Sequence, residues 1–210
     1  MLEKPIVESL SQSISKDNWM PIGFKKRAGV LIPLFTVHSE NSYGMGDLGD
    51  LKLIIDWAKS TANSIIQLLP MNEVGPLFCP YDALSSFALE PAYICLKNFP
   101  EISEKKFSFG STQTNYVDYA LKKEKLQLLW DVYLAVDLSE ALDFEEFQRQ
   151  NSYWLADFAL FKVLKDFHQG KPWYEWEQGF KNRQPELLRE FQQEHIEKIT
   201  FQMWLQWILF

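Results

Sequence analysis

The chain has 210 residues, 47% of them hydrophobic and 23% charged, the proportions of a globular fold and not of a disordered segment. Its formal net charge is −7 with no block of like charge, which argues against a nucleic-acid partner, because affinity for phosphate backbones comes from clustered Lys and Arg. A neutral ligand fits this balance better.

The opening MLEKPIVESLSQS carries acidic residues and no continuous apolar core, so it does not read as a secretory signal, and a cytoplasmic location is expected. The most apolar stretch, MWLQWILF, is far shorter than the roughly 20 residues of a membrane-spanning helix and is interrupted by Gln206, so no membrane partner is expected. Cys79 and Cys95 form no CxxC pair and accompany no His at metal-ligand spacing, which points to thiols packed or exposed singly, with no metal site.

Residues 1–26 are polar and weakly periodic, with Pro5, Pro21 and Gly23 breaking regular structure, and read as an N-terminal arm. Gly29 to Phe35, GVLIPLF, is a short continuous apolar run, the pattern of a parallel strand buried on both faces, and Pro33 predicts that it loosens at its end. The following YGMGDLG has glycines for a tight turn, but Gly44, Gly46 and Gly49 miss the dinucleotide-binding spacing, and Asp50 opposes phosphate. From Asp50, the apolar residues Leu51, Ile54, Ile55 and Ala58 recur at helical spacing, with Asp47 or Asp50 placed to cap the first turn. That helix ends near Asn63, and Ile65 to Pro70, IIQLLP, is a second apolar strand. The order strand, helix, strand opens an α/β fold with a parallel pair.

A loop rich in Pro, Ser and aromatics then runs to about Pro100, followed by a mostly helical stretch from about Tyr116. Trp154, Leu155, Phe158, Phe161, Val163 and Leu164 form a broad apolar stripe there, ended by the Gly170-Lys171-Pro172 turn. One last helix is expected from about Pro185 to the terminus. Its large side chains, Ile196, Ile199, Met203, Trp204, Trp207, Ile208 and Phe210, would each gain about 1.5 to 3 kcal/mol on burial. With no glycine cap or polar tail, this helix suggests a partner surface outside the 210 residues and a polypeptide that continues.

The segments AGVLIPLF, YGMGDLG, IIQLLP, CPYDALSSFALEPAYI and WLADFALFKVLKDFHQGKPWYEW, in that order, resemble the start of the amylomaltase family of 4-alpha-glucanotransferases, over about Arg27 to Phe210. The resemblance implies a fold of the α/β class, the N-terminal part of a (β/α)8 TIM barrel with a mainly helical insertion after strand 2. The expected divisions are the arm at 1–26, the start of the barrel with its sugar-contacting loop at 27–99, the inserted subdomain at 100–188, and a barrel helix at 189–210. It also implies a substrate, maltooligosaccharides or an α-1,4-glucan, and a reaction, transfer of glucan segments by a retaining double displacement. That chemistry needs two carboxyl groups about 5 to 5.5 Å apart and no cofactor. In the family those carboxylates lie on later strands, in a C-terminal barrel half this chain lacks, so no catalytic residue is assigned and the 210 residues alone are expected to be inactive.

Two substrate-binding candidates carry over. Tyr81 matches the family tyrosine whose ring packs on the sugar beside the cleavage point; the competing reading is a loop tyrosine packed for structure. Asp47 matches a position in the loop after the first strand; the competing reading is a helix cap. Cys79, Asp82 and Glu90 depart from the family's usual Ser, Gln and Asn, which bears on polar contacts and not on the ring contact. Trp173, Tyr174 and Trp176 are expected to pack in the core or make a domain contact rather than form a sugar platform, Glu145 and Glu146 to sit on a solvated face, and His38, His168 and His195 to be surface or packing residues. Two alternatives stay open: a non-catalytic glucan-binding or partner-binding remnant, and a hydrolase of the same clan.

Overall fold

A computed structural model describes residues 4–75, 78–103, 117, 120–138 and 141–210. Residues 1–3 of the arm, 76–77 of the expected sugar-contacting loop, and 104–116 of the inserted stretch, including its expected start at Tyr116, lie outside the described residues. The arm is more regular than its sequence suggests, with helices α1 (Lys4–Ser11) and α2 (Lys16–Trp19). Pro5 falls in the first turn of α1, where a missing N–H costs nothing, and Pro21 and Gly23 follow α2. Neither helix buries a residue.

Strands β1 (Gly29–Ile32) and β2 (Ile65–Leu68) pair in parallel, Gly29 opposite Ile65 and Ile32 opposite Leu68. Pro33, extended at φ −68° and ψ 117°, ends β1 and leads into a 3-10 turn at Leu34–Thr36, as its missing donor predicts. Helix α3 (Leu48–Ser60) crosses back between the strands. The expectation of burial on both faces needs correction: along each strand exposed and half-buried residues alternate, and Leu31 and Ile65 are 56% and 46% exposed. A sheet of two strands has no neighbours to cover its second face.

Helices α4 (Pro100–Ser103), α5 (Leu121–Ala135), α6 (Leu142–Gln150) and α7 (Leu155–Phe167) follow. After a turn at Trp173–Glu175 come α8 (Gln178–Lys181), α9 (Pro185–Glu194) and α10 (Ile196–Leu209). The single last helix expected from Pro185 is thus two, broken at His195, whose φ of −114° and ψ of 21° lie outside the helical region and whose ring lies 4.2 Å from that of Phe191.

Helix α10 finds part of its expected partner surface within the chain, while Ile196 and Phe210 stay 59% and 67% exposed. Trp204, Leu205 and Gln206 are almost fully buried, in a core shared with Leu129, Val132 and Tyr133 of α5 and with Ile94 and Leu96. The Trp204 ring lies 5.7 Å from Tyr133, and Phe201 meets Trp130 edge-on at 4.9 Å. Helix α3 also leaves apolar surface open, at Leu53, Ile55 and Trp57. Among the described residues no helix is long and apolar enough to cross a membrane.

The turn between β1 and α3 depends on two glycines. Gly44 has φ +72°, which disfavours any side chain, and a Cβ on Gly46 would overlap the backbone oxygen of Leu34 and press on Val37. Gly46→Ala is therefore expected to destabilise the chain by about 1–3 kcal/mol in urea denaturation, because backbone cannot step aside. Gly75→Ala, which meets open space, is the control and is expected to stay within about 0.5 kcal/mol.

Candidate glucan-binding loop

Both strands run the same way, so the loops leaving their carboxyl ends, from Pro33 to Asp47 and from Leu69 to Glu90, share one edge of the sheet. The second loop folds back on itself. Bridges at Asn72↔Leu89 and Val74↔Ala83, with hydrogen bonds from Glu73 N to Ala88 O (2.8 Å) and Leu84 N to Glu73 O (2.8 Å), make a narrow hairpin that carries Tyr81 near its tip. Phe78 anchors the approach to that tip. It is buried, with its backbone in the left-handed region at φ 49°, and its ring meets Phe35 edge-on at 5.5 Å and Tyr93 at 6.2 Å.

Three buried lysine–carboxylate pairs fasten these loops to the helices. Lys125 of α5 reaches Asp47 at 3.5 Å and donates to Ala92 O at 2.7 Å. Lys122, one turn earlier, pairs with Glu90 at 2.8 Å and donates to Val74 O at 3.1 Å. Lys162 of α7 pairs with Glu73 at 2.5 Å. Glu90 also accepts from Val74 N and Ala92 N, at 3.0 and 3.1 Å. A fourth fastening is neutral: the Gln206 side-chain amide accepts from Leu89 N at 2.8 Å and donates to Leu89 O at 2.9 Å.

Asp47 is the N-cap of α3. Its Oδ1 accepts from Gly49 N and Asp50 N, while Asp50 accepts from Asp47 N, a reciprocal capping box. Asp50 further accepts from the Ser39 and Ser42 hydroxyls. Asp47 is only 2% exposed, and its oxygens are engaged within the chain. Tyr81 is the opposite case: at 75% exposure it lies outside the core of the described residues. The two candidates share an edge of the sheet but not a situation, one buried and one open.

Burial pushes the Asp47 carboxyl above its ordinary range, against the pull of Lys125, and pushes the Lys125 ammonium down. Glu73 is likewise raised by burial. Burial would lower Lys162 too, but the adjoining Glu73 carboxylate outweighs it and holds the ammonium above its usual value. Among the described residues no group of three or more His, Cys, Asp and Glu converges to hold a metal ion.

The remaining residues singled out above fall as follows. Glu146 is engaged by Arg149 and Gln150 on the surface of α6, and Glu145 is exposed. His38 is exposed, and His168 stacks on Trp176 at 4.9 Å, its imidazole lowered by burial. Trp176 is buried as expected, but Trp173 and Tyr174 are 55% and 57% exposed, which corrects the expectation that they pack in the core. Missed in the sequence were Lys122, Lys125, Lys162, Glu73 and Phe78. A signal did exist for their partner Glu90, a lone charge within the apolar run ALEPAYICL.

A parallel strand pair joined through a helix, with the loops from its carboxyl ends gathered at one edge, is the opening of an α/β fold. The chain belongs to the 4-alpha-glucanotransferase family, whose sequence model matches residues 32–210. It is 30% identical over 212 residues to a 4-alpha-glucanotransferase of Chlamydia caviae, covering 96% of this chain and 40% of that protein. Against the 4-alpha-glucanotransferase of Aquifex aeolicus it is 30% identical over 194 residues, covering 87% of this chain and 38% of the relative. The fold is similar to that of the amylomaltase from Streptococcus agalactiae, solved in complex with acarbose, with a TM-score of 0.73 and 24% identity over 87% of this chain and 39% of that one. The chain thus spans about 40% of the length of the curated relatives it matches.

The pair at Lys125 and Asp47 gives a test. Lys125→Met strands a buried carboxylate and is expected to cost about 3–5 kcal/mol near neutral pH. The stranded Asp47 would then keep a folded-state pKa above its unfolded value of 3.8, so the folded form holds a proton that the unfolded form has released, and stability falls as pH rises through that interval. Urea denaturation at several pH values is expected to show this slope in K125M and to lose it in the double variant D47N/K125M.

Proposed function

We propose that the chain forms the glucan-binding N-terminal part of a 4-alpha-glucanotransferase, with residues 27–99 and 189–210 belonging to a (β/α)8 barrel and 100–188 to an inserted subdomain. Tyr81 is the residue that meets the sugar, its ring offering a flat apolar face to a pyranose. Asp47 acts at one remove, holding the glycine turn and α3 in place beside it. The observation that carries this reading is the open Tyr81 ring on a loop fixed by buried charges.

Retaining transfer needs one carboxylate to attack the anomeric carbon and a second to protonate the leaving oxygen and then activate the incoming hydroxyl. Of the acidic residues on these loops, Asp47, Asp50, Glu73 and Glu90 are each no more than 2% exposed and accept a hydrogen bond or an ion pair from within the chain, while Glu40 and Asp82 are exposed. The four buried carboxylates are thus committed to the scaffold, and the reacting pair is placed beyond Phe210 on the family resemblance. A non-catalytic glucan-binding chain is the second reading, favoured by the burial of α10 within these residues.

In an enzyme carrying this segment, Tyr81→Ala is expected to lower kcat/KM for maltotriose disproportionation about tenfold, the loss of one ring contact. The 210 residues alone are expected to bind maltoheptaose in calorimetry and to release no glucose from maltotriose. Glucose release by them would overturn the placement of the carboxylates, and absence of any maltoheptaose binding would overturn the substrate.

A further inference from the structure

A cavity of about 280 Å³ lies between α7, the Trp173 turn and the corner joining α8 to α9, and none of its lining residues comes from the Tyr81 loop. Its floor is aromatic, with Phe161, Trp176 and Phe180, and the half-exposed Trp173 stands at its mouth. Trp176 is fixed in place: its indole N–H donates to Lys171 O at 3.0 Å, and its ring lies between Phe161 at 5.7 Å and His168 at 4.9 Å. On the rim, Arg183 and Asp157 form a pair at 2.8 Å, both about two-thirds exposed.

One feature of this corner is unexplained by stability. An ion pair so exposed contributes only about 0–1 kcal/mol. Arg183 itself has a left-handed backbone, φ 53°, the usual conformation of the residue that ends a helix, with hydrogen bonds from Arg183 N to Phe180 O and from Gln184 N to Gly179 O closing the end of α8. This cap fixes where the long cationic side chain leaves the backbone, on the rim of an aromatic hollow. Leaving Trp173 exposed has its own cost in unburied apolar area.

We propose that this cavity is a second saccharide-binding site, taking the end of a neutral α-linked glucose chain; the choice of sugar rests on the glucan reading above. A pyranose has apolar C–H faces and a polar hydroxyl edge. The open ring of Trp173 supplies a surface for one face, with Trp176 fixed behind it in the floor, while the Asp157 carboxylate and Arg183 guanidinium supply an acceptor and a fork of donors for adjacent hydroxyls. Lys181 also lines the cavity, its ammonium donating to Tyr174 O at 3.0 Å, so the lining carries two cations against one carboxylate, and a neutral sugar is chosen for the aromatic surface and not for the charge. The volume falls just below the roughly 300–1,000 Å³ of small-molecule sites, room for a chain end and not for a long segment.

The test is a titration of the 15N-labelled 210-residue chain with maltoheptaose, following the indole N–H signals of its eight tryptophans. The Trp173 signal is identified by its absence in Trp173→Phe. It is expected to shift saturably, to keep shifting in Tyr81→Ala, and to need about tenfold more sugar in Arg183→Ala, the loss of one charge-assisted hydrogen bond. Undisturbed remaining indole signals show that each variant is folded. A Trp173 signal that stays still while Tyr81-dependent binding is measured overturns the second site and leaves the proposed function standing. Equal response in Arg183→Ala and the unsubstituted chain overturns the rim assignment, and no binding of maltoheptaose at all overturns both readings.

Discussion

Charge burial governs this structure. Lys125, Lys122 and Lys162 each carry an ammonium from a helix into the interior, and each finds a carboxylate supplied by the strand-end loops. Isolated, any of these groups would cost several kcal/mol, and the pairs together with their backbone partners make the cost bearable. Because one member of every pair sits on a helix and the other on a loop, the helical layer and the loops are placed only jointly. Apolar contacts between α10 and α5 fill the core, but they are non-directional and tolerate sliding; the ion pairs admit one register.

The elements near the strands were legible in the sequence because their signals are local. A glycine turn, an acidic cap and apolar residues at helical spacing give β1, α3 and β2 within a few residues. The buried pairs were not legible, since nothing in KKEKLQ distinguishes Lys122 and Lys125 from the exposed Lys123 beside them. Their burial is decided by which face of α5 meets the core, a tertiary fact. Glu90 and Gln206 did leave a trace, each a polar residue amid apolar neighbours, and each turned out to be a fastening.

Where sequence reasoning failed, it failed by counting apolar side chains without knowing what faces them. The last helix looked too hydrophobic to lack an outside partner, yet α5 and the segment around Ile94 cover much of it, leaving Ile196 and Phe210 exposed. The strands looked doubly covered, yet β1 and β2 keep one row exposed. The aromatic cluster near Trp173 looked like packing, and only Trp176 does that. Composition states how much apolar surface exists; its distribution follows from the arrangement of the helices. At the candidate site the same holds in reverse, since the exposure of Tyr81 and the burial of Asp47 separate two residues that resemblance alone had placed side by side.

The grip of Gln206 on Leu89 has a consequence for how this loop can change over time. Because the amide reads the main chain on both its donor and its acceptor side, as an adjoining strand would, it is indifferent to the side chain at position 89. This contact therefore holds the path of the loop at position 89 without dictating which side chain stands there. Position 206 has no such freedom: a glutamate there would lack the N–H, a leucine both groups, and each would leave buried main-chain polar atoms unanswered. Variation in recognition and constancy of scaffold are thereby assigned to opposite ends of a single contact.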